Sequence, residues 1–249
     1  MTIQDWSGII NLSNEREENT MASRKYIMVL DTETANGLMV NDKLDLSCSL
    51  VYDIGFTVVD KKGRIYCQKS MAIREIFCGM ADVMKSAYYA EKLPKYWEDI
   101  KASRRNLVNF MTARRIVLEV MKEYNIQTVS AHNARFDVNA LNNTIRYITK
   151  SDKRFFFPYG IEIWDTYKGA VNTICKQKGY IRFCERNGYM TKHKTPKVRA
   201  TAEILYRYLS GDNNFIEEHQ GLDDTTIEAK ILTQILRQHS KKEYIMLYA

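Results

Sequence analysis

The chain has 249 residues, 45% apolar and 27% charged, with a formal net charge of +7 and a pI near 9.0. That length holds one domain with a sizeable core, and no apolar run is long enough to be read as a membrane helix. The positive balance points to a polyanionic partner, nucleic acid first, although charge of this size also serves solubility alone.

Residues 1–24 are polar around "NEREENT" and lack a basic stretch followed by an apolar one. They are expected to be a flexible N-terminal extension rather than a secretory signal, with the functional domain over residues 25–249. "YIMVLDTET" is a short apolar run ending in acids, the pattern of a central strand. "SLVYDIGFTVVDKKGRIYCQKSMAI" predicts two strands around a turn at Lys61, Lys62 and Gly63. Residues 74–103 have helical composition with a break near Pro94. The next helix is drawn by Leu107, Phe110, Met111, Ile116, Val117, Val120 and Met121. Then strands and helices alternate: "IQTVSAHN", "ARFDVNALNNTIRYITK", "IEIWDT" and "YKGAVNTIC". Two late helices are expected in "KVRATAEILYRYLS" and "DDTTIEAKILTQILRQH". Three early strands followed by this alternation make an α/β fold with a mixed sheet.

The five cysteines show no CxxC spacing and suit reduced thiols in a cytoplasmic protein. Cys175, Cys184 and His193 lack the fourth ligand and the spacing of a zinc site.

Three segments carry acids at element boundaries. In "DTET", Asp31 and Glu33 share one face of a strand, so they repel. In "HNARFD", Asp137 falls in the first turn of a helix, where an acid also simply suits the helix dipole. Phe136 beside it is read as core. In "HQGLDD", His219 and Asp224 lie five apart across a loop that opens a helix. One of Asp223 and Asp224 could serve as its N-cap. Each segment alone has an ordinary structural explanation. Together they offer four carboxylates and an imidazole, which hard divalent cations such as Mg²⁺ or Mn²⁺ would neutralise. That set suits phosphoryl displacement, with the histidine accepting a proton from water.

These three motifs, in this order, resemble those of the DEDDh (DnaQ-like) exonucleases, the group that includes the proofreading epsilon subunit of polymerase III and ribonuclease T. The resemblance spans roughly residues 25–240. It implies a ribonuclease H-like mixed five-stranded sheet flanked by helices, and removal of nucleotides from the 3′ ends of single-stranded nucleic acid, with DNA favoured. It also implies two divalent cations held by Asp31, Glu33, Asp137 and Asp224, with His219 as general base. Residues near Thr34, Leu38 and Asn133 would seat the terminal nucleotide. The five-residue step from the histidine selects Asp224 over Asp223. Gln220 stands where the sister subtype has its tyrosine. Asn36 lengthens the loop after the first motif, and Gly221 replaces a usual alanine.

The segment between the second and third motifs is also longer than in minimal relatives. Its residues 176–200 carry eight Lys or Arg against one Glu, with Tyr180, Phe183 and Tyr189 interleaved. Cations attract phosphates and ring faces stack on bases, so Lys192, Lys194 and Lys197 are candidate substrate contacts. A solvated loop propped by its aromatics would read the same way. Residues 74–103 are basic and aromatic too, but their acids fit a cap on the sheet better. Alternative readings are a proofreading or processing subunit docked to a polymerase, and a binding module without activity. A homodimer is a further expected arrangement. The five catalytic residue types argue for the enzyme.

Overall fold

The computed structural model describes residues 25–35, 39–40, 43–44, 49–85, 90–217, 219–238, 243 and 245–248. Residues 1–24 and Leu38 lie outside them. The strands are β1 (Tyr26–Ala35), β2 (Met39–Val40), β3 (Lys43–Leu44), β4 (Leu50–Asp60), β5 (Ile65–Ile73), β6 (Asn106–Val108), β7 (Thr128–Ala131), β8 (Glu162–Asp165) and β9 (Met246–Tyr248). Seven of them form a mixed sheet in the order β6-β5-β4-β1-β7-β8-β9, while β2 and β3 pair separately. β1 and β4 run antiparallel and are buried almost throughout. Strands covered on both faces must be apolar nearly continuously, as these are.

The helices are α1 (Arg74–Phe77), α2 (Ala81–Lys85), α3 (Leu93–Lys101), α4 (Phe110–Glu123), α5 (Ala134–Thr149), α6 (Thr166–Asn172), α7 (Lys178–Asn187), α8 (Ala202–Ser210) and α9 (Gly221–Gln238). An apolar layer packs on each face of the sheet. Met28 and Leu30 join one with α4 and α5; Ile27 and Val29 join the other with α8 and α9. This alternation is what the pleat dictates. Asp31 and Glu33 continue the Ile27–Val29 side until a register irregularity between Glu33 and Thr34.

α9 meets the sheet backbone to backbone. A Cβ on Gly55 would lie 2.0 Å from the Gly221 carbonyl carbon, and one on Gly221 would lie 2.8 Å from the Gly55 nitrogen. Only glycine fits at either place. Gly55 is the register partner of Asp31, so this contact brings the start of α9 against Asp31.

The expected five strands correspond to β1, β4, β5, β7 and β8, and the ribonuclease H-like mixed sheet flanked by helices is present. Two short edge strands extend it. β6 is masked in the sequence because Leu107 also fits the helical spacing of α4; Asn109 is extended (φ −73°, ψ 149°) and α4 begins only at Phe110. β9 uses three residues of the tail beyond α9. Pro94 sits in the first turn of α3 and opens that helix rather than breaking one. Among the described residues no helix is long and apolar enough to cross a membrane.

Candidate active site

The end of β1 supplies Asp31 and Glu33. Asp137 comes to it from α5, where its Oδ1 accepts from the Thr32 backbone N–H (3.1 Å) and the Thr32 hydroxyl (2.8 Å). The turn before α5 is held by two more acids. The Glu228 Oε2 accepts from the His132 N–H at 3.1 Å, and the Asp165 Oδ1 accepts from the Asn133 N–H at 3.0 Å. Asn133 itself is left-handed (φ 68°), a conformation asparagine tolerates. Asp224 and Glu228 stand one turn apart on α9, so they share a face; both are buried.

His219 precedes α9 with φ 51°, strained for a non-glycine residue by about 1–2 kcal/mol. The two residues after it are anchored. The Arg105 guanidinium pairs with buried Asp53 and donates to the Gln220 Oε1 at 3.1 Å. Asp53 Oδ2 also accepts from the Gly221 N–H (3.2 Å) and the Tyr96 hydroxyl (3.0 Å). The Arg105 guanidinium lies 4.0 Å from the Tyr96 ring centre.

Asp31, Glu33, Asp137, His219 and Asp224 thus line one cavity of about 620 Å³, with Asn133, Phe136, Glu217 and Glu228. Carboxylate oxygens of Asp31, Glu33 and Asp224 lie within 4.8 Å of one another; ligand atoms of Glu217, His219 and Asp224 form a second such group. Burial, then mutual repulsion, raises Asp31 well above the ordinary carboxylate range and Glu33 to about 9. Burial likewise raises Asp224 to about 8, helped by Glu217 and Asp223. Asp137 is raised to about 7 by burial, against the Thr32 hydrogen bonds that lower it. Glu217 reaches about 7 and Glu228 goes well above its usual range, again from burial first. His219 is pushed down by burial and by Lys92.

A divalent cation fits these residues. Asp31 Oδ2 and Asp224 Oδ1 are buried without a hydrogen-bond partner among the described residues, and every close ligand atom of the Asp31–Glu33–Asp224 group is a hard oxygen. An orphaned buried carboxylate oxygen carries a desolvation cost that a cation removes.

The other sequence candidates lie elsewhere. Thr34 is buried in β1 outside the cavity lining. Lys192, Lys194 and Lys197 are exposed in the loop beyond the Met190–Val198 bridge and do not line the cavity. The interleaved rings of residues 176–200 follow the propping alternative rather than an open stacking surface. Tyr180 is fully buried, donates its hydroxyl to the Arg199 carbonyl at 2.6 Å, and packs with Phe183 and Tyr208. Phe183 and Tyr189 pack on each other. These rings pack α7 against α8, with Tyr180 fully buried and Phe183 and Tyr189 half-buried. Glu217 and Glu228 were missed. The four-residue step from Asp224 to Glu228 was the available signal.

No family profile and no curated protein sequence matches the chain. Solved structures do. An unliganded exonuclease I matches at TM-score 0.50 and 11% identity, over 88% of this chain and 43% of that one. E. coli exonuclease I in complex with a dA16 oligonucleotide gives 0.47 and 12%, over 87% and 42%. S. pombe Pop2p with Mg²⁺ and Mn²⁺ bound gives 0.46 and 12%, over 95% and 92%. The chain spans less than half the length of the exonuclease I it matches. At these identities the likeness concerns the fold alone.

Proposed function

We propose that the protein is a divalent-metal-dependent 3′→5′ exonuclease that hydrolyses single-stranded nucleic acid, DNA in preference, and releases nucleoside monophosphates. The observation that supports this reading is the meeting of Asp31, Glu33, Asp137, His219 and Asp224, from three distant segments, in one cavity with orphaned buried carboxylate oxygens. Asp31, Glu33, Asp137 and Asp224 would hold two divalent cations, Mg²⁺ or Mn²⁺. When bound, such ions supply charge neutralisation and Lewis-acid stabilisation of a phosphoryl oxygen.

The chain's own residues do the rest. His219 is partly exposed (32% of its side chain) and held neutral at pH 7 by its lowered pKa, so its ring can take the proton of the attacking water. The water oxygen bonds to phosphorus, the bond from phosphorus to the 3′ oxygen of the preceding nucleotide breaks, and that oxygen takes a proton from solvent. The Glu217 carboxylate, 4.0 Å from His219 Nδ1, stabilises the imidazolium that forms. Asn133 at the mouth of α5 orients the terminal nucleotide. Lys192, Lys194 and Lys197 add a long-range attraction for the strand.

The test is incubation of 5′-labelled and 3′-labelled single-stranded DNA and RNA with Mg²⁺, Mn²⁺ or EDTA. Stepwise shortening of 5′-labelled DNA with either metal, and none in EDTA, is expected. A 3′-label retained on shortened products, or activity in EDTA, would overturn the reading.

A further inference from the structure

The cavity that holds the acids ends at α5, and a second one begins there. Asn133, Phe136 and Asp137 face the acids, while Arg135, Val138, Asn139 and Asn142 form one wall of a groove of about 600 Å³. Their i, i+3, i+4, i+7 spacing places the four on one adjoining helix face. The opposite wall is the run from Phe155 to Ile161, with Ile163 of β8.

Two aromatic rings in that wall face solvent. Phe155 is 58% exposed and Tyr159 fully exposed. Large exposed rings lining one groove mark a contact surface. Arg135 lines the groove, and further cations lie beside Phe155 in space or in sequence. Residues 146–160 hold Arg146, Lys150, Lys153 and Arg154 against one acid, Asp152. The Arg146 guanidinium lies 5.0 Å from the Phe155 ring centre. Arg114 donates to the Phe156 carbonyl at 2.8 Å and is pushed below its usual pKa by burial and by nearby Arg154. Among the described residues, none of Arg114, Arg135, Arg146 and Arg154 makes an ion pair with a carboxylate. Cations gathered with their own repulsion unrelieved fit an anionic occupant, and the rings fit flat faces.

We propose that this groove carries the part of a single-stranded nucleic acid that lies 5′ of the bond being cut, with bases stacked on Phe155 and Tyr159 and phosphates on Arg135 and Arg154. The proposal rests on the exonuclease reading. A protein partner fits less well. An apolar one would leave the guanidinium groups unmatched, and an acidic one would not use the rings. A strand matches both, and its path from the acids is one turn of α5.

The test uses the full chain in EDTA, so that no strand is cut, with fluorescent dT oligonucleotides of rising length. Phe155→Ala/Tyr159→Ala is expected to weaken a dT12 strand by about tenfold or more and a dT2 strand by less than about twofold. Arg135→Gln/Arg154→Gln is expected to reduce the salt slope of dT12 binding by about 0.7 for each lost phosphate contact. Replacing Phe155 with the photoreactive p-benzoylphenylalanine should crosslink the strand on illumination. Thermal melting serves as the fold control. If the wild type binds dT12 and both pairs of substitutions leave affinity and slope unchanged, the groove assignment falls while the exonuclease reading stands. A crosslink to a second copy of the chain also overturns it. A wild type that neither binds nor shortens any strand removes the exonuclease reading first and the groove with it.

Discussion

Glu33 and Asp53 are register partners on neighbouring strands, both buried, and yet their surroundings are opposite. Asp53 has a guanidinium, a phenol and a backbone N–H directed at it. Glu33 faces other carboxylates, and burial with their repulsion raises it to about 9. A buried carboxylate is tolerable when its partner is built in, as Arg105 is for Asp53. Where none is built in, the protein holds a place for charge from outside. The comparison separates two uses of acid one strand apart: Asp53 fixes the loop that carries His219, and the Glu33 cluster is where the proposed cations would bind.

The largest effect expected from this contrast comes from Asp31→Asn. With Mg²⁺ the variant should lose about 10³-fold or more in kcat, equivalent to ~4 kcal/mol of transition-state stabilisation. In EDTA it should melt at a higher temperature than the wild type, because one member of the repelling set is gone. A variant less stable than the wild type in EDTA would mean that Asp31 is already satisfied within the protein, and the contrast would fail.

Arg105→Met probes the other side. It leaves Asp53 buried without its cation, so a loss of about 3–5 kcal/mol is expected from denaturant unfolding. The double change Asp53→Leu/Arg105→Met should recover much of that loss. Full activity and stability in Arg105→Met would show that the pair anchors nothing.

Third is the response to pH and metal. The raised groups bind protons in the folded state that the unfolded chain, near its ordinary carboxylate values, has released. The unfolded chain therefore binds fewer protons between about pH 4 and 9, and stability of the metal-free protein falls as pH rises. The loss runs through about 7 for Asp137 and Glu217, about 8 for Asp224 and about 9 for Glu33. His219 has the opposite sign, since its lowered pKa makes the folded state bind fewer protons near pH 6.5. It is one group against several. Melting temperature in EDTA should drop from pH 6 to pH 9, and saturating Mn²⁺ should flatten the curve, adding about 2.7 kcal/mol at a hundred times its Kd. Equal melting curves with and without metal at pH 9 would contradict a cation site.

The two carboxylate groups were not equally legible in the sequence. Asp31 and Glu33 could be seen together because a strand has a two-residue period, and the Asp137 and Asp224 segments follow recognisable spacings. The Asp53 network joins residues 52, 43 and 168 positions apart, and such pairings leave no local mark. Residues 176–200 stayed ambiguous for a related reason. Alternating rings and cations describe a basic surface and a packed helix equally well, and only the tertiary contacts of Tyr180 and Phe183 decide between them. The less basic run 146–160 buries Phe156 but leaves Phe155 and Tyr159 in solvent. β6 and β9 were too short for periodicity to mark them.

The smallest effect expected is that of Glu228→Gln, and it is the most selective probe of the contrast. Glu228 is fully buried, repels Asp137 and Asp224, and accepts the His132 N–H through one oxygen. Glutamine keeps an oxygen for that bond and removes the charge. At pH 4 the native carboxyl, raised well above its usual range in the folded state, is largely protonated in the unfolded chain too, so the substitution should change stability little. Towards pH 5 the unfolded native chain releases this proton while the folded chain keeps it, a cost that the glutamine avoids. The variant should then gain about 1 kcal/mol in EDTA, which is about 2–4 °C in a chain of this length. Because the close oxygen set is Asp31, Glu33 and Asp224, Mn²⁺ should still raise its melting temperature as it does for the wild type. A variant that no longer responds to Mn²⁺ would make Glu228 a ligand in its own right. A variant stabilised equally at pH 4 and pH 5 would mean that the gain comes from packing, and that Glu228 does not belong with the unpaired acids.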